Sequence, residues 1–248
     1  IRRQRQMCIR DRVGLTKRVR PNQLTVTGMI KEKGGFSMTM TDDEKITKIL
    51  AAASDLFIQP GYQVTQMQTI ARHAHLAVGS LYRFFSSKAA LRDQLFLTTL
   101  GVSVTGTTLP LTTVDQTQLL AQTQTAYDQW QEQFQSCQRA DDLDDLLTNL
   151  VTTFQRYGRY FLILEHNPTL NPTLTALYRD YRQRLYQQVG EFLMRQRRTA
   201  TEADGMIVVD LIFWWCAHKQ YDSFEKPVGR QALPAVLIQL RTMLHRSY

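Results

Sequence analysis

From residue 41 onward the apolar positions recur with a helical period. Ile46, Ile49, Leu50, Ala53 and Phe57 are three, one, three and four residues apart, which places them on one face of a helix. Thr41 stands three residues before Glu44, the spacing of a capping box in which hydroxyl and carboxylate satisfy each other's backbone donors. Asp42, Asp43 and Glu44 also suit the positive end of that helix. Pro60-Gly61 stops it. Thr65 reads as an N-cap before Met67, Ile70 and Ala71. A short third helix covers about 77–85, and Ser87 caps a fourth with Ala90, Leu91, Leu95 and Phe96 on one side.

Gly101 to Thr113 is a Thr/Gly/Pro loop and the best candidate boundary. Long amphipathic stretches follow at about 115–136, 142–166, 172–198, 203–223 and 231–246, with no strand alternation. Asn171-Pro172 is an N-cap followed by Pro at the first helical position, and Pro227 with Gly229 separates the last two stretches. The expectation is an all-α chain of about nine helices. A three-helix domain at 41–88 precedes a larger helical domain at 89–248.

Residues 66–84 spell a short helix, a tight turn and a second short helix. Ile70, Ala71, Leu76 and Leu81 supply the apolar contact between them. This is how a helix-turn-helix is built, the first helix bracing the backbone while the second enters the major groove. The wider string then reads Ile49-Leu50-Ala51-Ala52-Ala53, Leu56-Phe57, Pro60-Gly61-Tyr62, Thr65, Ile70-Ala71, Ala74, Gly79-Ser80-Leu81-Tyr82, Phe85, Ser87-Lys88 and Leu91. Over about 45–95 it resembles the N-terminal DNA-binding domain of the TetR family of bacterial transcriptional regulators.

The resemblance implies site residues. Thr65 and Gln66 open the bracing helix, where a hydroxyl and backbone N–H groups can hold a phosphate. The base-reading positions fall on Val78, Gly79, Ser80 and Tyr82, with Arg83 beside them. Lys88 matches a phosphate-gripping position. Leu81 and Phe85 are expected in the core. The chain departs from the family at His75, where the turn usually has Gly, and at Phe84, where His or Tyr is frequent. His tolerates a left-handed backbone only at a cost.

For the rest of the chain the resemblance implies a ligand-binding and dimerisation domain without a catalytic centre or cofactor. Subunits of the family pair through their last two long helices, here within about 203–246. Independently, Leu233, Val236, Leu237, Leu240, Met243 and Leu244 form one apolar stripe, and Ile207, Leu211, Trp214, Trp215 and His218 another. Both stripes pack against a symmetric copy or against the subunit's own core. Trp130, Phe154, Tyr157, Phe161, Tyr178 and Trp214 are candidates to line a pocket for a small apolar or aromatic effector, or else plain core. Glu165 and His166 can add polarity there.

Other clusters reduce to ordinary structure. Asp141, Asp142, Asp144 and Asp145 lack the Gly and closing Glu of a calcium loop and read as an acidic first helical turn. Arg195, Arg197 and Arg198 suit a helix C-terminus. The five histidines show no ligand spacing, and no GxSxG, P-loop or GxGxxG occurs, so neither a catalytic nor a metal site is expected. Cys8, Cys137 and Cys216 lie far apart, which speaks against a disulfide framework. No apolar run reaches membrane-spanning length. The expected setting is cytoplasmic, with an operator duplex as partner and no membrane. The leading reading is a ligand-released repressor. An activator or ligand-independent regulator of the same fold is the alternative, and a helical protein-interaction module without DNA binding is the alternative from another class.

Charge changes the picture only at the N-terminus. The 248 residues carry 30 Lys+Arg against 22 Asp+Glu, a net charge of +8. Ten of those bases and two of those acids lie in residues 1–37, so residues 38–248 are neutral, with 20 of each sign. Segment 1–37 has no helical period and reads as a disordered basic arm or as a non-native leader. Met7 to Arg12 is compatible with ATG TGT ATA AGA GAC AGN, a transposon adapter end, and Lys33-Gly34-Gly35 with a ribosome-binding sequence. On that reading the natural chain begins at Met38 or Met40.

Overall fold

The structure, a computed structural model, describes residues 40–103, 108–140, 142–196, 200–222 and 233–245. The chain divides into Ile1–Thr39 and Met40–Tyr248. Both readings of 1–37 lie outside the described residues, as do Arg197, Arg198, Pro227 and Gly229.

Local chemistry sets the helix starts. In α1 (Asp42–Leu56) the Thr41 N–H donates to Glu44 Oε2 at 2.7 Å and the Glu44 N–H to Thr41 Oγ1 at 3.2 Å, closing the expected capping box. A bulged turn at Phe57–Gly61 carries Pro60 and ends that run. Helices α2 (Met67–His73) and α3 (Val78–Phe84) follow, and Ser87 caps α4 (Lys88–Thr99) by accepting from the Ala90 N–H. Then come α5 (Gln116–Ala140), α6 (Leu143–His166), α7 (Pro172–Gln196), α8 (Glu202–Cys216) and α9 (Leu233–His245). Asp142 caps α6 by accepting from the Asp144 and Asp145 N–H groups, so these three acids form a helix start, while Asp141 lies outside the described residues. Among the described residues the fold is all-α, with one isolated bridge between Phe85 and Leu111.

Three boundaries differ from the sequence reading. Gln66, not Thr65, is the N-cap of α2. Helix α8 stops at Cys216 and yields to a 3₁₀ turn at His218–Tyr221 instead of running to 223. The loop after α4 is stitched down where it was expected to divide domains. Ser86 N–H donates to the Leu111 carbonyl at 2.9 Å and Leu111 N–H to the Phe84 carbonyl at 2.8 Å. Buried Asp93, paired with Arg92, accepts from the Val114 N–H at 3.1 Å. The described end of that loop is therefore fixed beside α3.

One buried apolar cluster runs from α1 through α9. Helices α7 and α8 approach closely at Gly190 and Gly205, where a Cβ on Gly205 would come within 2.5 Å of the Tyr186 carbonyl oxygen and 2.7 Å of Gly190 Cα. Those neighbours are backbone and cannot swing aside. Gly205→Ala is therefore expected to cost about 3 kcal/mol through overpacking, read as a lower urea midpoint. An unchanged midpoint would mean the two helices are free to separate.

The two apolar stripes of α8 and α9 are divided. Val208, Val209, Ile212, Phe213, Leu240 and Leu244 face the chain's own core, while Met206, Ile207, Ile238 and Met243 are exposed. Leu211, Trp214, Trp215 and Leu237 lie between, half-buried.

Candidate nucleic-acid interface

The turn between α2 and α3 spans four residues, Ala74 to Ala77. His75 has φ +58°, the left-handed conformation expected at the position where the family has Gly. Leu76 N–H donates to the Ala71 carbonyl and His75 N–H to the Arg72 carbonyl, which is a Schellman closure of α2. A side chain in that conformation costs about 1–2 kcal/mol. His75→Gly is accordingly expected to raise stability by about 1 kcal/mol, seen as a higher melting temperature. A decrease would show that the imidazole makes a compensating contact.

Helix α3 presents two faces. Leu81 and Phe84 are buried and hold it to the core, and Phe85, just past its end, is buried too. Phe84, at the second family departure, is therefore a core residue with no polar group to offer. Tyr82 is 50% exposed, so it is not a core aromatic. Gly79 is also exposed, and a Cβ there would meet nothing. Val78 and Ser80 are partly exposed on the outer side. Arg83 reaches back to Asp42 of α1 at 2.6 Å in an exposed pair. Such pairs are worth about 0–1 kcal/mol, so the guanidinium is readily released to a phosphate.

Thr65 and Lys88 play different parts from those expected. Thr65 is 2% exposed, and its hydroxyl is shared between the Leu56 carbonyl at 2.9 Å and the Gly61 carbonyl at 2.7 Å. That hydroxyl is unavailable to a phosphate. Lys88 Nζ donates to the carbonyls of Tyr62 at 2.9 Å and Thr65 at 3.0 Å, more weakly to Gln63 at 3.4 Å, and lies 4.3 Å from the centre of the Tyr62 ring. Burial lowers its pKa from the ordinary lysine value. Lys88 thus clamps the segment before α2.

These elements enclose an open groove of about 960 Å³ lined by Gln66, Gln68, Val78, Tyr82, Lys88 and Val64, among others. Five of the expected site residues, Thr65, Gln66, Val78, Tyr82 and Lys88, meet there, Thr65 with its hydroxyl turned to the Leu56 and Gly61 carbonyls. Gly79, Ser80 and Arg83 lie on α3 outside its lining. Val64, 66% exposed, and Gln68 were missed. The only sequence signal for Val64 is an apolar residue in a polar turn.

A second set of contacts joins this region to the end of α6. Asn167 Nδ2 donates to the Phe57 carbonyl at 2.7 Å and the Ile163 carbonyl at 2.9 Å, while its Oδ1 accepts from the Tyr62 N–H at 2.8 Å. His166 Nδ1 donates to the Ile58 carbonyl at 2.8 Å. One residue earlier, Glu165 accepts from Tyr178 at 2.6 Å, pairs with Arg182, and lies 3.3 Å from His218 Nε2. Arg182 also binds Asp210 at 2.8 Å, and Tyr186 donates to the same carboxylate at 2.6 Å.

Burial pushes the Glu165 carboxyl up. Hydrogen bonds from His218 and Tyr178 and the Arg182 charge outweigh that and hold its pKa below the ordinary value. A depressed carboxyl contributes stability that is complete above its unfolded pKa and is lost as pH falls through the folded one. Glu165→Gln is therefore expected to be less stable than wild type at neutral pH, with the gap closing toward about pH 3. Urea unfolding at both pH values checks this, and a gap independent of pH would contradict it.

The expected effector aromatics are packed on one another. Trp130 and Tyr157 have ring centres 3.9 Å apart, Phe161 and Tyr178 4.8 Å, and Phe154 and Phe161 6.2 Å. Trp130, Phe154, Tyr157 and Phe161 are core in this structure, at most 6% exposed. Trp214 is apart from them, against Trp215. Only Tyr178 of the six, with Glu165, lines a cavity described below.

The turn, the buried inner face of α3 and its exposed outer face define a helix-turn-helix domain. Residues 49–95 match the bacterial regulatory proteins of the tetR family, and that stretch is a tetR-type helix-turn-helix segment. The chain is 42% identical over 52 residues to the uncharacterized HTH-type transcriptional regulator YhgD of Bacillus subtilis (strain 168), a match covering 21% of this chain and 27% of that protein. The match thus spans about a quarter of that relative's length. Among solved structures, a transcriptional regulator (TerR/AcrR family) from Aquifex aeolicus VF5 is 17% identical with TM-score 0.42, covering 81% of this chain and 97% of that one. AibR in complex with isovaleryl coenzyme A and operator DNA is 16% identical with TM-score 0.46, covering 82% and 100%. No described helix is long and apolar enough to cross a membrane.

Proposed function

We propose that the chain is a sequence-specific DNA-binding transcriptional regulator that works as a homodimer in the cytoplasm and is a repressor released by a small effector. DNA reading is assigned to 41–88, and effector binding and pairing to 89–248. The observation that carries the reading is the exposed α3 face, with Tyr82 and Val78 lining one groove with Gln66 and Gln68, inside the tetR-type segment. In this role Val78 can meet a thymine methyl, Ser80 and Tyr82 can bond base edges, and Gly79 lets the helix backbone approach the duplex. Arg83 and the start of α2 hold phosphates.

Release follows from the hydrogen bonds at the end of α6. An effector that moves Glu165 moves His166 and Asn167, which are bonded to the 57–62 segment behind α2. The spacing of the paired recognition helices changes, and they no longer enter successive major grooves about 34 Å apart. Selection from a randomised duplex pool tests the reading. It should yield a two-fold symmetric site, protected in footprinting at two half-sites about one turn apart. Recovery of unrelated sequences would leave a helical interaction module as the better description.

A further inference from the structure

Between the end of α6 and α7 lies a cavity of about 430 Å³, within the size range of small-molecule sites. Leu164, Pro168 and the rings of Tyr178 and Tyr186 give it apolar walls. The Glu165 and Arg182 groups at its side are already satisfied by each other, by Tyr178 and Tyr186, and by Asp210 and His218. Thr175 and Arg179 are not. Thr175 is 5% exposed and its hydroxyl has no hydrogen-bond partner. Arg179 is exposed, and no described residue pairs with it. The two stand four residues apart on α7, hence on one face, and both line the cavity.

A buried hydroxyl that has given up water without a replacement is costly, and native proteins explain each such group by a ligand, a water or strain. Here the unpaired hydroxyl has, one helical turn away, a cation that no described residue pairs with, and apolar surface beside it. We propose that this cavity binds a small organic anion, a monocarboxylate with an apolar body. Arg179 holds its carboxylate, a turn of the Thr175 side chain about χ1 brings the covered hydroxyl to the same group, and the body lies on Leu164, Pro168, Tyr178 and Tyr186. A cationic ligand finds the cavity's carboxylate, Glu165, already neutralised. A dianion would carry a second charge to a site where Arg179 is the one cation unpaired among the described residues, beside Glu165. The assignment deepens the effector half of the proposed function and rests on that reading only for its effect on DNA binding.

Calorimetry on the full chain tests it with phenylacetate and hexanoate, each against its own primary amide. At least one acid should bind saturably and about tenfold or more tighter than its amide. Arg179→Gln should abolish that preference with the melting temperature unchanged. Thr175→Val, nearly equal in shape, should weaken the acid about fivefold. Binding by neither acid, or acid binding indifferent to Arg179→Gln, would overturn the proposal. Specific operator binding is measured on the same ligand-free samples. If it persists without carboxylate binding, only the cavity assignment fails. If carboxylate binds where specific operator binding is absent, only the regulator reading fails.

Discussion

Ile207→Glu combined with Ile238→Glu is expected to leave a monomer that keeps its helices and loses specific operator binding. Ile207 is 58% exposed on α8 and Ile238 57% exposed on α9, with Met206 and Met243 exposed beside them. Exposed apolar side chains on both α8 and α9 suit an isologous four-helix contact with a second copy. Charges buried there without partners cost several kcal/mol each. A subunit alone offers one seven-residue α3, too few base contacts for specific binding. Operator affinity should fall by about a thousandfold or more, to the level of unrelated DNA. Leu240 and Leu244 make a poor test, because they are 5% and 8% exposed within their own subunit and would unfold it. Sedimentation and titration with selected DNA are the checks. A variant that still sediments as a dimer and binds operator places the interface elsewhere.

Tyr82→Ala and Lys88→Ala should separate reading from bracing. Tyr82 is exposed on α3, so on the proposed reading its loss should remove a base-edge contact and leave stability nearly unchanged. Specific binding should fall by about 1–3 kcal/mol while binding to unrelated duplex stays within about twofold. Lys88 spends its ammonium on the Tyr62, Gln63 and Thr65 carbonyls. Its loss should lower the melting temperature and weaken both DNAs alike. The slope of log affinity against log salt should stay the same. A slope shallower by about one would return Lys88 to a phosphate contact.

What the sequence made legible was local. The capping box at Thr41, the helix-turn-helix span and the left-handed turn at His75 depend on residues a few positions apart, and each appears in the structure where it was expected. Thr65 was misread because its hydroxyl partners include the Leu56 carbonyl nine residues earlier, across a bulged turn. The Lys88 clamp closes over more than twenty residues and leaves no periodic trace. Trp130, Phe154, Tyr157 and Phe161 show the limit of residue type, since an aromatic stripe is the same string whether it lines a cavity or fills it. The Glu165, Arg182 and Asp210 network was out of reach for a related reason. Its members come from three helices, so Glu165 was legible as a polar group near a pocket but its pairing with Arg182 and Asp210 was not.

The most direct test of the account is the ratio of affinities for a selected operator and for a scrambled duplex of the same length, measured at physiological salt. A dimer reading two half-sites through Val78, Gly79, Ser80 and Tyr82 should give a ratio of about a thousand or more. A ratio near one, with both affinities collapsing together as salt rises, would contradict it and leave the α3 face without a sequence to read.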